Sequence, residues 1–99
     1  MKRKNKLVTL LLLFIISASF SQVKISGVVK DEANETIPFA NIIFVNSTIG
    51  TVSDEYGKFY LESDKTFTQV EVSFLGYETK ILPLSSFNNK TFKILLKSV

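Results

Sequence analysis

Carboxylates, hydroxyls and tyrosines must carry any chemistry in this 99-residue chain, because it has no histidine and no cysteine. The usual zinc sites cannot be built without those residues, nor can a Ser-His-Asp or Cys-His nucleophile. Asp31 with Glu32 and Asp54 with Glu55 remain as acid–base pairs or calcium ligands. Adjacent strand residues point to opposite faces, and neither pair offers the spaced oxygens of a calcium loop. Both pairs read as solvated turn carboxylates, so no catalytic, cofactor-binding or metal-ligating residue is expected. Tyr56, Tyr60 and Tyr77 could stack on a sugar or anchor a protein, each ring having an apolar body and a polar tip. Tyr60 shares an outward face with Lys58 and Glu62, and Tyr56 occupies a turn, so these two form the candidate contact patch. The plainer reading is that the tyrosines cover sheet edges. Asn34, Asn46 and Asn89 begin N-x-[ST] triplets, which read as coincidental.

Two-residue alternation positions these groups, and after residue 22 no segment keeps the 3.6-residue period of an amphipathic helix. Strands are predicted over residues 23–30, 40–45, 48–52, 58–62, 69–74, 78–82 and 90–97. Ile25, Val29, Ala40, Ile42, Phe44, Phe59, Leu61, Val70, Val72, Phe74, Phe92, Ile94 and Leu96 would face inward. Pro38 sits at a strand entrance, where a missing N–H is tolerated, and Pro83 ends a strand. Asp54 is placed to accept backbone N–H groups two residues on, and Gly57 to take the positive φ of a tight reversal. Regular turn signals without helical insertions favour an all-β fold, a seven-stranded antiparallel β-sandwich in one domain.

Upstream of the strands, Lys2, Arg3, Lys4 and Lys6 lead into an apolar stretch over residues 7–20. Such a helix of about 14 residues would rise roughly 21 Å, short of the roughly 30 Å hydrocarbon core of a bilayer. A signal peptide helix over residues 1–21 is therefore expected, cleaved between Ser21 and Gln22, with the sandwich domain over 22–99. All nine acidic residues follow that cut, against eight of the twelve basic ones, so the processed chain carries a net charge of −1. The basic isoelectric point belongs mainly to the targeting segment and is no sign of a nucleic-acid partner. Lys90, Lys93 and Lys97 read as a solvated edge. Without cysteine, an exported domain of this size has no disulfide staple and no thiol for lipid attachment, and depends on packing alone.

Four groups of residues resemble the carboxypeptidase-regulatory-like domain, a transthyretin-like or prealbumin-like sandwich common in exported proteins of Bacteroidetes-type bacteria. They are Ile25-Ser26-Gly27-Val28-Val29-Lys30-Asp31, Ile37-Pro38-Phe39-Ala40-Asn41-Ile42, Gly50-Thr51-Val52-Ser53-Asp54 with Gly57-Lys58-Phe59, and Val72-Ser73-Phe74-Leu75-Gly76-Tyr77-Glu78. The resemblance implies a non-catalytic accessory module without cofactor, placed after the signal peptide of larger outer-membrane proteins such as TonB-dependent receptors. Zinc carboxypeptidase chemistry and the histidine-dependent transthyretin-like hydrolase of purine breakdown are both excluded, because this chain has no histidine.

The expected function is that of a periplasm-facing or outer-membrane-associated protein-interaction or spacer module. Its partner would be an envelope protein or a covalently following domain, with the membrane reached only through an associated outer-membrane protein. Exposed sheet edges offer a means, because an extended segment can pair with them through main-chain hydrogen bonds. The alternative is a free-standing periplasmic carbohydrate- or peptide-binding module that uses an aromatic face. The chain is either such a small protein or the front end of a longer one.

Overall fold

The computed structural model describes residues 23–87 and 92–99. The expected signal peptide, residues 1–21, lies outside the described residues, as do Gln22 and residues 88–91 at the predicted start of the last strand. Seven strands follow in order: β1 (Val23–Asp31), β2 (Asn41–Phe44), β3 (Gly50–Val52), β4 (Lys58–Ser63), β5 (Gln69–Ser73), β6 (Lys80–Pro83) and β7 (Phe92–Leu96). They form a three-stranded sheet, β4-β1-β7, and a four-stranded sheet, β3-β2-β5-β6. Among the described residues the one helical piece is a 3₁₀ turn, Leu84–Ser86.

Alternation decides which side chains meet between the sheets. Ile25, Val29, Phe59, Leu61, Ile94 and Leu96 come from the first sheet, and Ile42, Phe44, Val70 and Val72 from the second, joined by Ile37 and Ala40 from the loop before β2. Burying each large aliphatic or aromatic side chain contributes about 1.5–3 kcal/mol. Phe74 differs from expectation, because β5 ends at Ser73 and its ring is only partly buried. Phe67 was not foreseen as a core partner. It lies in a polar connection, yet its ring stacks on Phe44 at 4.5 Å. Phe87 likewise closes one end of the core, edge-on to Phe59 at 6.5 Å and tilted against Phe92 at 4.9 Å.

The expected antiparallel pairing holds for every neighbouring pair of strands except one. β1 runs parallel to β7, with Gly27 beside Phe92 and Val29 beside Ile94. A parallel pair needs a long crossover, and here the five intervening strands supply it. Gly27 fits this approach, since a Cβ there would collide with the Phe92 carbonyl and the Phe59 ring. Strands β2, β3 and β6 also begin later than predicted, at Asn41, Gly50 and Lys80.

Candidate functional site at the corner between β3 and β4

Asp54 organises the reversal from β3 into β4. One carboxylate oxygen accepts the N–H groups of Tyr56 and Lys58, each at 2.9 Å. The Asp54 N–H donates to the Lys58 carbonyl at 2.8 Å, and the Gly57 N–H donates to the Asp54 carbonyl at 2.9 Å. Gly57 adopts φ +77°, where a side chain is strained, and a Cβ there would stand 2.7 Å from the Val29 carbonyl oxygen. The same Gly57 carbonyl accepts the Val29 N–H at 2.8 Å, which seats the turn on β1. Asp54 and Gly57 thus do what their residue types suggested.

Ser53, one residue earlier, was missed. It is the buried polar residue among the described residues, with 0% of its surface exposed. Its hydroxyl donates to the Ile37 carbonyl at 2.7 Å and accepts the Ala40 N–H at 2.9 Å, bridging the two ends of the Pro38-Phe39 turn. Its own main chain completes the clamp, the Ser53 N–H donating to the Ala40 carbonyl (2.9 Å) and its carbonyl accepting the Phe39 N–H (3.0 Å). Two residues, Phe39 and Ala40, therefore oppose one, with Phe39 at φ +61°. That is the arrangement of a bulge whose first residue is ordinarily glycine. Phe39 holds a strained conformation while 63% of its surface stays exposed. A hydroxyl just past the end of a strand is too common to have marked Ser53 in advance.

The tyrosines of the candidate patch stand where expected, Tyr56 in the turn and Tyr60 on the outward face of β4, 63% and 55% exposed. The Tyr60 hydroxyl donates to Glu62 Oε2 at 3.1 Å. Desolvation at the sheet surface, then that hydrogen bond and the Glu62 charge, raise the Tyr60 phenol above its ordinary value near 10, so it remains a donor at neutral pH. Tyr77 is instead partly buried against Phe74, their ring centroids 6.1 Å apart.

Neither acidic pair forms a carboxylate dyad. Asp31 accepts the N–H groups of Ala33 (2.8 Å) and Glu35 (3.0 Å) and closes its own turn. Glu32 accepts the main-chain N–H of Ser98 at 2.9 Å and its hydroxyl at 3.1 Å, tying down the last residues. No cluster of three or more acidic residues that could hold a metal occurs among the described residues. Two shallow depressions, of about 660 and 600 Å³, flank the hairpin from β2 to β3. Neither is lined by Tyr56 or Tyr60, and both lie open, so a small ligand there would stay largely hydrated.

Fold and corner together define a small two-sheet module in which Asp31, Ser53 and Asp54 hold turns. The chain belongs to the CarboxypepD_reg-like domain family, which it matches over residues 25–99. It is also 34% identical over 99 residues to the TonB-dependent receptor SusC of Bacteroides thetaiotaomicron, a match covering 94% of this chain and 10% of that receptor. The chain thus spans about a tenth of its relative. Among solved structures it is similar to a chain in the crystal structure of a type II cohesin–X–dockerin complex from Acetivibrio cellulolyticus, with a TM-score of 0.59. That match is 17% identical and covers 77% of this chain and 58% of the other, a likeness of fold alone.

Proposed function

We propose that the chain is a non-catalytic accessory module of the bacterial cell envelope, exported by a signal peptide over residues 1–21. Its sandwich acts as a protein-contact or spacer domain at the front of an outer-membrane, TonB-dependent receptor-like protein or of a secreted one. The observation carrying this reading is that a match to the whole sandwich makes up only a tenth of a receptor's length. A domain that size in so long a protein works beside other domains. The lack of histidine and cysteine, with Asp31, Glu32 and Asp54 bound to main-chain N–H groups, supports the absence of catalysis.

Fractionating cells that produce the tagged chain tests the location. A processed N-terminus near Gln22 in the periplasmic or outer-membrane fraction is the expected result, and an unprocessed cytoplasmic protein overturns it. The exposure of Tyr56 and Tyr60 favours one second reading, a saccharide- or peptide-binding face. Glycan-array and calorimetric screens separate the two, because micromolar saccharide binding lost on changing both tyrosines to Ser supports the binder.

A further inference from the structure

The geometry points to the free edge of β4 as a self-pairing surface at which a second copy of this chain docks strand to strand. This deepens the protein-contact reading above by naming the edge and the partner. The pairing of β4 with β1 shows which groups are available. Val29 N–H donates to the Gly57 carbonyl, and hydrogen-bonded pairs alternate along an antiparallel ladder, so Phe59, Leu61 and Ser63 are turned to β1. The N–H and C=O groups of Lys58, Tyr60 and Glu62 consequently point away from the sheet. Those of Lys58 are taken by Asp54. Those of Tyr60 and Glu62 have no partner among the described residues.

The other long edges are blunted. On β6 the bond from Leu84 N–H to the Thr68 carbonyl sets the alternation, so Ile81 and Pro83 face outward, and Pro83 has no N–H. On β7 the outward carbonyl of Leu95 accepts Lys80 Nζ at 3.2 Å. β3 is open at Gly50 and Val52 by the same reasoning, but it is three residues long and presents no charge. β4 has six residues, and beyond the Asp54 turn its outward groups at Tyr60 and Glu62 carry no such protection.

Why a second copy fits is visible in the sequence of the strand. A two-fold axis through Leu61 sets Tyr60 opposite the other copy's Glu62, and Glu62 opposite its Tyr60. That uses only the unoccupied groups and makes four main-chain hydrogen bonds. The same register brings the Lys58 side chain near Asp64 of the second copy, just past the end of the paired stretch and twice over by symmetry, and opposite charges so placed attract. Regular strand ends at Ser63, and the chain bends at Asp64, which keeps the second copy's backbone clear of the Asp54 turn. Leu61 meets its counterpart on the inner face, and two three-stranded sheets become one of six. An isologous contact of this kind closes on itself and does not propagate.

Sedimentation equilibrium of the purified full chain tests this, with amide exchange read in parallel. Dimerisation is expected, with exchange at Tyr60 and Glu62 slowing as concentration rises. Glu62→Pro deletes one outward N–H and leaves the β1 ladder whole, and should weaken the dimer by at least about tenfold. Lys58→Glu should also weaken it, and Lys58→Glu combined with Asp64→Lys should restore it, a rescue that loss of folding cannot imitate. A chain that stays monomeric to about 1 mM overturns the proposal. So does a dimer in which the Tyr60 and Glu62 amides gain no protection. Either result leaves the envelope location to the fractionation experiment, so the two failures are distinguishable.

Discussion

The two sides of the sandwich end in different ways. On the side of β6 and β7, the last residues leave the first sheet and pair with the bend between β5 and β6 of the second. Tyr77 bridges Ser98, the Glu78 N–H donates to the Lys97 carbonyl at 2.8 Å, and the Val99 N–H donates to the Gly76 carbonyl at 3.0 Å. Lys80 adds a side-chain tie across the same seam, and Glu32 holds Ser98 to the end of β1. On the side of β3 and β4 the sheets are joined through the turn between those strands, and the outward main-chain groups of Gly50, Val52, Tyr60 and Glu62 have no partner among the described residues. Phe39, Val52, Tyr56 and Tyr60, all at least half exposed, lie on or beside that corner. A small sandwich can hold one side by cross-sheet bonds and the other by a single well-made turn, which leaves the second side available for contact.

Substitutions at the turn should break this contrast most severely. Gly57→Val places a branched side chain at φ +77° and against the Val29 carbonyl, and should cost about 3 kcal/mol. Urea denaturation measures it, and an unchanged midpoint would remove the turn as the fastening of the open side. Ser53→Ala should follow at about 2 kcal/mol, because it strips the Ile37 carbonyl and the Ala40 N–H of their hydroxyl partner. Loss of cooperativity confined to β2 and β3, seen by amide exchange, would sharpen the picture.

The sealed side should be more forgiving. Glu32→Ala removes two exposed hydrogen bonds and should cost about 0.5–1 kcal/mol, with faster exchange at the Glu78 and Val99 amides and little change at Phe59. Equal acceleration throughout the chain would deny the seam any local role. The smallest effect is alkaline. Tyr60 has a folded-state pKa above its unfolded value, so its contribution is fully present below about pH 10 and is lost as pH rises through the folded pKa. Stability measured between about pH 9 and 11 should fall more steeply in the natural chain than in Tyr60→Phe, and parallel curves would contradict the Glu62 contact.

Period and turn chemistry made much of this legible beforehand. Ile25, Ile42, Phe44, Val70, Val72 and Ile94 could be assigned inward because a half-buried strand must alternate. Asp54 and Gly57 were readable because their roles are fulfilled within four residues. The parallel partnership of β1 and β7 was not, since nothing local in either strand encodes a neighbour more than sixty positions away. Ser53 escaped notice for the same reason, its acceptor and donor lying 16 and 13 residues upstream. Phe67 was hidden by its polar surroundings. Within the candidate patch the outward placement of Tyr56 and Tyr60 followed from alternation, whereas the open edge beneath Tyr60 depends on where β1 and the Asp54 turn sit.

Because β1 and β7 run side by side in the same direction, tension drawn through Val23 at one end and Leu96 at the other would drag them past each other lengthwise. Their ladder would then be loaded in shear, with all its bonds sharing the strain at once, and would not open like a zip. A module in such a tether would give way abruptly at one high force, visible as a single peak in atomic-force stretching.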